Sequence, residues 1–288
     1  MFQRQTTGSI VCPSCGRLAG VQDAECFSCG RRNPGLWGYA PLLQKIGLDF
    51  GFTQIVLTAC AALYAVSLLS DFNNIGGGGM MSILAPTNRS LFLFGSSGAL
   101  PIFGFGRWWT VLSAAWLHGG LLHIGMNMMW LRQLMPVVQE YYGVGRLIII
   151  YTAASVGGFG LTSIMWLPNI PMGPFRGAYI TVGASAPLFG LFGALMVYSR
   201  RTGQSAMGQQ IYRWVVIFVV IGVLVPFIDN WAHLGGLGGG YAAARIMDPL
   251  KSENPTHMLI ALVCLLLTAA SIVASVLLGV PLFLGQGA

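Results

Sequence analysis

Hydrophobic runs recur along the whole chain, at about 53–70, 121–136, 146–166, 181–199, 212–228, 230–247 and 257–280. Each is near the length of about 20 residues that crosses a bilayer as an α-helix. In lipid every backbone N–H and C=O must be bonded internally, so such runs can be little else. Soluble domains carry about 25% charged residues. This chain carries 8%, with 55% hydrophobic residues and a mean hydropathy of +0.70. The fold class that follows is an all-α polytopic membrane protein with seven spans. The first 50 residues are polar and contain cysteines, the wrong make-up for a cleavable export signal.

Lysine and arginine placement sets the expected orientation. The N-terminal segment (Arg4, Arg17, Arg31, Arg32, Lys45) and the second, fourth and sixth loops (Arg132, Arg146; Arg200, Arg201, Arg213; Arg245, Lys251) hold 12 of the 15 basic residues. The first and third loops hold the other 3, Arg89, Arg107 and Arg176. The asymmetry predicts a cytoplasmic N-terminus and an external C-terminus in an inner or plasma membrane. Topology and anionic lipid heads account for the net charge of +7, so no nucleic-acid partner is expected. Oligomeric state is not legible.

Composition shifts divide the chain into a small module at 1–40, an interfacial linker at 41–52, a six-span block at 53–250, and a tail at 251–288 holding the sixth loop and seventh span. The long first loop, 71–120, is apolar and predicted to lie in the outer interface, where Trp108, Trp109 and Trp116 suit the depth. Gly76–Gly79 reads as a hinge or a plain linker. The last span is generic and reads as packing.

In the N-terminal module, Cys12-Pro13-Ser14-Cys15-Gly16 is echoed by Cys26-Phe27-Ser28-Cys29-Gly30. Two Cys-x-x-Cys pairs at this separation fit a structural four-thiolate Zn²⁺ site of Cys12, Cys15, Cys26 and Cys29. So short a segment needs a staple to fold. The competing reading is two disulfides, which a reducing compartment disfavours. Cys60 and Cys264 lie within spans and read as inert small hydrophobes.

Within the spans, polar groups gather in one layer. Counting from the outer ends, His123 and Asn127 lie about 3 and 7 residues into the second span, Ser185 about 5 into the fourth and His233 about 4 into the sixth. At about 1.5 Å rise per residue these depths agree within roughly one turn. His123 and Asn127 share a face at i, i+4, as do Ser185, Phe189 and Gly193. His233, Gly236 and Gly240 share another, smooth enough for close helix approach. Ser185 and His233 are a candidate nucleophile and base. The Ser185 amide, His123 and Asn127 are candidate oxyanion donors. Asp229 suits a helix N-cap better than a third catalytic member. Taken singly, each feature reads as packing glue, and Ser67, Ser113, Ser163 and Ser271 are best read so. Agreement in depth, facing and chemistry favours a catalytic dyad that needs no cofactor.

These residues resemble the rhomboid family of intramembrane serine proteases over about residues 50–250. The matching motifs are Gly183-Ala184-Ser185-Ala186, His123-Ile124-Gly125-Met126-Asn127 with His118 five residues upstream, and Ala232-His233-Leu234-Gly235-Gly236-Leu237-Gly238-Gly239-Gly240. The resemblance implies a six-helix core with one helix added after it and a membrane-embedded first loop. It implies transmembrane protein substrates cut near their outer ends, with Ser185 as nucleophile, His233 as base, His123 and Asn127 at the oxyanion, and Phe189 against the base. The chain departs from the pattern at Ala186-Pro187, usually Gly-Ala, and at Arg107-Trp108, usually Trp-Arg. Loss of Ser or His marks the silent relatives that only bind clients, and both residues are present. A transporter would need carboxylates within spans, and none lies there.

Overall fold

The computed structural model describes residues 4–12, 17–40, 51–76, 82–167, 176–225 and 228–285. The chain divides into two compact units, Met1–Thr58 and Ala59–Ala288. In the first, β1 (Ser9–Val11) and β2 (Leu18–Gly20) pair antiparallel with Ile10 opposite Ala19. Ile10, Cys12, Ala19, Val21 and Cys26 make its small core. The Cys12 amide donates to the Arg17 carbonyl and the Cys26 amide to the Arg31 carbonyl, both at 2.8 Å.

Among the described residues the long helices are α1 (Phe52–Leu69), α4 (Leu121–Tyr142), α5 (Val144–Met165), α6 (Ser185–Thr202), α7 (Ser205–Leu224), α8 (Asn230–Ile246) and α9 (Pro255–Gly285). The shorter α2 (Asn88–Phe94) and α3 (Thr110–Ser113) lie in the first loop. The long helices coincide with the seven expected spans and make an all-α polytopic membrane fold. Only α1, α5, α7 and α9 are long and apolar enough to cross a membrane on composition alone. The other three, α4, α6 and α8, carry the polar residues singled out above.

Helix α8 packs against both α5 and α6, and its glycines explain how. A Cβ on Gly236 or Gly240 would fall well inside 3.0 Å of α6 backbone, at Ala186 and Gly190 respectively. Gly235 and Gly239 face the other way, onto Gly157 and Ala153 of α5. The glycine run therefore serves two neighbours, where the spacing of His233, Gly236 and Gly240 pointed to one face. Gly238 meets nothing within 4 Å.

Arg146 anchors one end of the bundle. It is buried at the start of α5, and its amide donates to Glu253 Oε1 at 2.8 Å. Its guanidinium donates to His257 Nδ1 at 3.2 Å, to the Lys251 carbonyl at 2.7 Å and to the Asp248 carbonyl. One side chain thus holds the sixth loop and the first turn of α9.

The first loop is folded and packed. Leu91, Leu93, Phe94 and Leu117 form a buried cluster with Leu63, Val182 and Val276 against it. Buried Arg107 donates to the carbonyls of Phe92 and Ser275, each at 2.8 Å, and lies over the Phe92 ring. Trp109 Nε1 donates to Ser275 Oγ at 3.1 Å, and Ser271 Oγ donates to the Trp109 carbonyl at 2.8 Å. The seventh helix therefore does more than fill space. It gives the displaced Arg107 its partner and pins the loop. The three tryptophans differ in exposure: Trp108 is exposed, whereas Trp116 is buried beside Tyr151 with ring centroids 5.9 Å apart. Ala114, Ala115 and Trp116 are all buried, so this turn packs into the bundle and the indole adds its apolar area to the core. Gly76 bridges to Ala85, and the rest of the glycine run lies outside the described residues.

Candidate active site

The segment before α6 is extended. Thr181 and Ser97 exchange amide–carbonyl bonds at 2.8 and 3.0 Å, and the Gly183 amide donates to the Ala114 carbonyl at 2.9 Å. Gly183 sits at φ +137°, a conformation other residues rarely adopt. The helix consequently starts at Ser185 itself, later than the expected 181. Ser185 lies at the mouth of α6, where backbone N–H groups have no intrahelical partner and the dipole favours negative charge. Pro187 falls in this first turn, where its missing N–H costs no helical bond.

His123 is oriented from outside its own helix. The Gly119 amide donates to His123 Nδ1 at 3.2 Å, so Nδ1 is unprotonated and Nε2 carries the hydrogen. That Nε2 borders Ser185. A Cβ placed on Gly183 would lie 2.7 Å from His123 Nε2 and 3.5 Å from Ser185 Oγ. Asn127 is buried one turn on; its Nδ2 donates back to the His123 carbonyl at 2.9 Å, leaving one of its two N–H donors uncommitted. His118 is fully buried, with its ring edge-on to His123 at 5.2 Å.

His233 lies one turn into α8 and is buried. Its ring stacks on Phe189 with centroids 4.2 Å apart and an interplanar angle of 9°. Phe189 is one turn below Ser185 on the same face of α6, so the stack holds the imidazole beside the serine's helix. No hydrogen bond joins Ser185 Oγ to His233 among the described residues. His233 Nδ1 is buried without a partner, so no carboxylate orients it. Asp229 instead caps α8: Oδ1 accepts from the Ala232 amide at 3.0 Å and from Thr162 Oγ1 at 2.9 Å. Such a cap contributes about 0.5–2 kcal/mol. Thr162 Oγ1 also accepts from the Ala178 amide at 2.8 Å, tying α5, α8 and the third loop together. Neither Thr162 nor the Gly119 amide carried a sequence signal, because both act through contacts distant along the chain or through backbone.

In the N-terminal unit, Cys12, Cys26 and Cys29 bring their sulfurs within 4.8 Å of one another, with Cys12 and Cys29 at 3.8 Å. A disulfide would need about 2.05 Å. Zinc–thiolate bonds of about 2.3 Å give tetrahedral edges of about 3.8 Å, so the donor set fits. Cys15 lies outside the described residues.

The fold is thus a polytopic helical bundle that places a serine at a helix mouth, a ring-stacked histidine on a glycine-packed neighbour, and a second oriented histidine. Residues 105–249 match the family described as the Rhomboid domain. The chain belongs to the rhomboid family, and it is an integral membrane protein. It is 33% identical over 150 residues to the rhomboid protease GluP of Bacillus subtilis (strain 168), covering 51% of this chain and 27% of that protein. It is 30% identical over 155 residues to the putative rhomboid protease YdcA of the same organism, covering 52% and 72%. It is 29% identical over 133 residues to inactive RHOMBOID-like protein 8 of Arabidopsis thaliana, covering 44% and 35%. The chain thus spans from about a quarter to about three-quarters of these relatives' lengths.

Proposed function

We propose that this protein is an intramembrane serine endopeptidase that hydrolyses peptide bonds of transmembrane substrates through a Ser185–His233 dyad. The observation that carries the reading is the Phe189–His233 stack directly below Ser185, with His123 Nε2–H bordering the same space. Ser185 Oγ attacks the scissile carbonyl carbon as its proton passes to His233. The oxygen that becomes negative accepts from the Ser185 amide, His123 Nε2–H and the uncommitted Asn127 N–H. Collapse breaks the C–N bond, and His233 returns the proton to the leaving amine. Water activated by His233 then cleaves the acyl-enzyme. The absent Ser185–His233 hydrogen bond is compatible with this, because such bonds are often long without substrate and tighten on binding. The testing experiment is labelling of the detergent-purified protein by a fluorophosphonate. Ser185 is expected to take the label and Ser185→Ala to lose it; equal labelling of both would remove Ser185 from the mechanism.

Gly183→Ala is expected to lower turnover by about a hundredfold or more. It strains a positive φ and drives a methyl into His123 Nε2, and losing one oxyanion donor alone costs about 10²–10³. Cleavage at the wild-type rate would show that His123 is not positioned by this contact.

A second reading, a silent client-binding relative, is favoured by the missing serine–histidine bond and by similarity to a relative named inactive. Fluorophosphonate labelling separates the two.

The cysteine unit is read as a Zn²⁺ module on the cytoplasmic side, with Cys12, Cys15, Cys26 and Cys29 as ligands. Elemental analysis is expected to find one zinc per chain, lost in Cys26→Ser; a zinc-free wild type would overturn it. The basic-residue asymmetry supports an external C-terminus. A periplasm-dependent reporter fused there should be active, and an inactive one would reverse the orientation.

A further inference from the structure

Helices α6 and α7 are joined by a tight turn, Gly203-Gln204, in which Gly203 adopts φ +70° and returns its amide to the Ser199 carbonyl. Beside this turn a cavity of about 660 Å³ opens, lined by Ser199, Arg200, Ser205, Gln209, Tyr212 and Arg213 among others. A second cavity of about 430 Å³ continues from it along α7, past Gln209, Gln210, Arg213, Trp214 and Ile217. Gln209 and Arg213 line both. Neither lining includes a carboxylate.

The charges here are unbalanced in a telling way. Arg201, the neighbour on the other side, is paired with Asp248 at 3.0 Å and donates to the Arg245 carbonyl. Arg200 donates one N–H to Tyr241 Oη at 2.8 Å and forms no ion pair among the described residues. Arg213 is exposed and forms none either. Two guanidinium groups therefore border one cavity with most of their donors uncommitted, alongside a tyrosine, a serine and a glutamine. Beyond them the second cavity turns apolar at Trp214 and Ile217, and α7 goes on with exposed Val216, Val220 and Leu224. A polar, cationic head space leading into an apolar groove matches one kind of molecule in a membrane: an amphiphile with a phosphate head and acyl tails. Basic pockets between transmembrane helices are suited to anionic lipid heads.

We propose that the Arg200–Arg213 cavity binds the phosphodiester headgroup of an anionic phospholipid, with an acyl chain laid along the Trp214–Ile217 groove. The site lies at the end of α6 opposite Ser185, and the proposal does not depend on catalytic activity. It is tested on the purified protein in a neutral detergent by thermal unfolding, with phosphatidylglycerol, phosphatidylcholine or inorganic phosphate added. A ligand that binds only the folded protein raises the unfolding midpoint, and the rise grows with the ratio of free ligand to Kd. Phosphatidylglycerol is expected to raise it, and phosphatidylcholine and millimolar phosphate to leave it unchanged. The phosphatidylglycerol concentration needed for a given shift should rise about tenfold or more in Arg200→Gln and in Arg213→Gln, since charge-assisted hydrogen bonds are lost. Gln209→Trp, which fills the cavity without altering charge, should weaken binding similarly. Arg132→Gln, the same charge change elsewhere on the surface, should not. Equal responses from Arg132→Gln and the two cavity arginine variants would overturn the proposal, as would full response in Gln209→Trp. A shift reproduced by inorganic phosphate alone would overturn the lipid as the source.

Discussion

Replacing Ser185 or His233 by alanine is expected to abolish cleavage of a single-span substrate while the protein remains folded. In an activated serine nucleophile, removing either member costs on the order of 10⁶ in turnover, because hydroxyl and imidazole act as one unit. The structural consequences of the two changes differ. Ser185 is partly exposed at the first position of α6, so losing one oxygen there leaves the packing intact. His233 is buried against Phe189, and its removal forfeits a ring stack worth about 0.5–1.5 kcal/mol beyond its area. Ser185→Ala should therefore keep the wild-type unfolding midpoint, and His233→Ala should lower it modestly. A gel assay of cleavage and a thermal scan of each variant separate chemistry from folding. Wild-type cleavage by either variant would end the dyad reading. Loss of cleavage accompanied by loss of the folded state would leave His233 as a structural residue.

The other large effect is expected at the centre of the bundle. Gly236→Val and Gly240→Val should prevent α8 from closing on α6. In both cases the new side chain meets backbone, at Ala186 and Gly190, and backbone cannot rotate away as a flexible side chain can. Overpacking of this kind typically costs 1–3 kcal/mol or more. Here the same interface sets the distance between the serine and histidine helices, so activity and stability should fall together. Gly238→Ala is the matched control. It meets nothing within 4 Å, and alanine favours a helix over glycine by about 0.5–1 kcal/mol, so it should be neutral or stabilising. A Gly240→Val protein that folds and cleaves normally would contradict the packing described for α8.

The two predictions draw on different kinds of legibility. The glycine spacing at 236 and 240 was readable because the helical period turns spacing into a shared face. That Gly235 and Gly239 serve a second neighbour was not, since spacing does not say how many helices surround a face. Helix α6 starts at Ser185 and not at 181, where the hydrophobic run begins, for a local reason. Hydropathy continues through Thr181 and Val182, but those residues are held extended by Ser97 and by the positive φ of Gly183. Asp229 as a cap was foreseeable from its position one turn before His233. Its bond to Thr162 was not.

Hydropathy alone established that the chain crosses a membrane several times, because burying an unbonded backbone in lipid is too costly for any other arrangement of such runs. Motif spacing established which side chains share a helix face. The tertiary structure decided what lies between faces: which nitrogen of His123 carries the hydrogen, where Arg107 finds carbonyls, and that the seventh helix pins the first loop. Each of these depends on atoms far apart along the chain meeting within hydrogen-bond range, and such a distance follows from packing, not from periodicity.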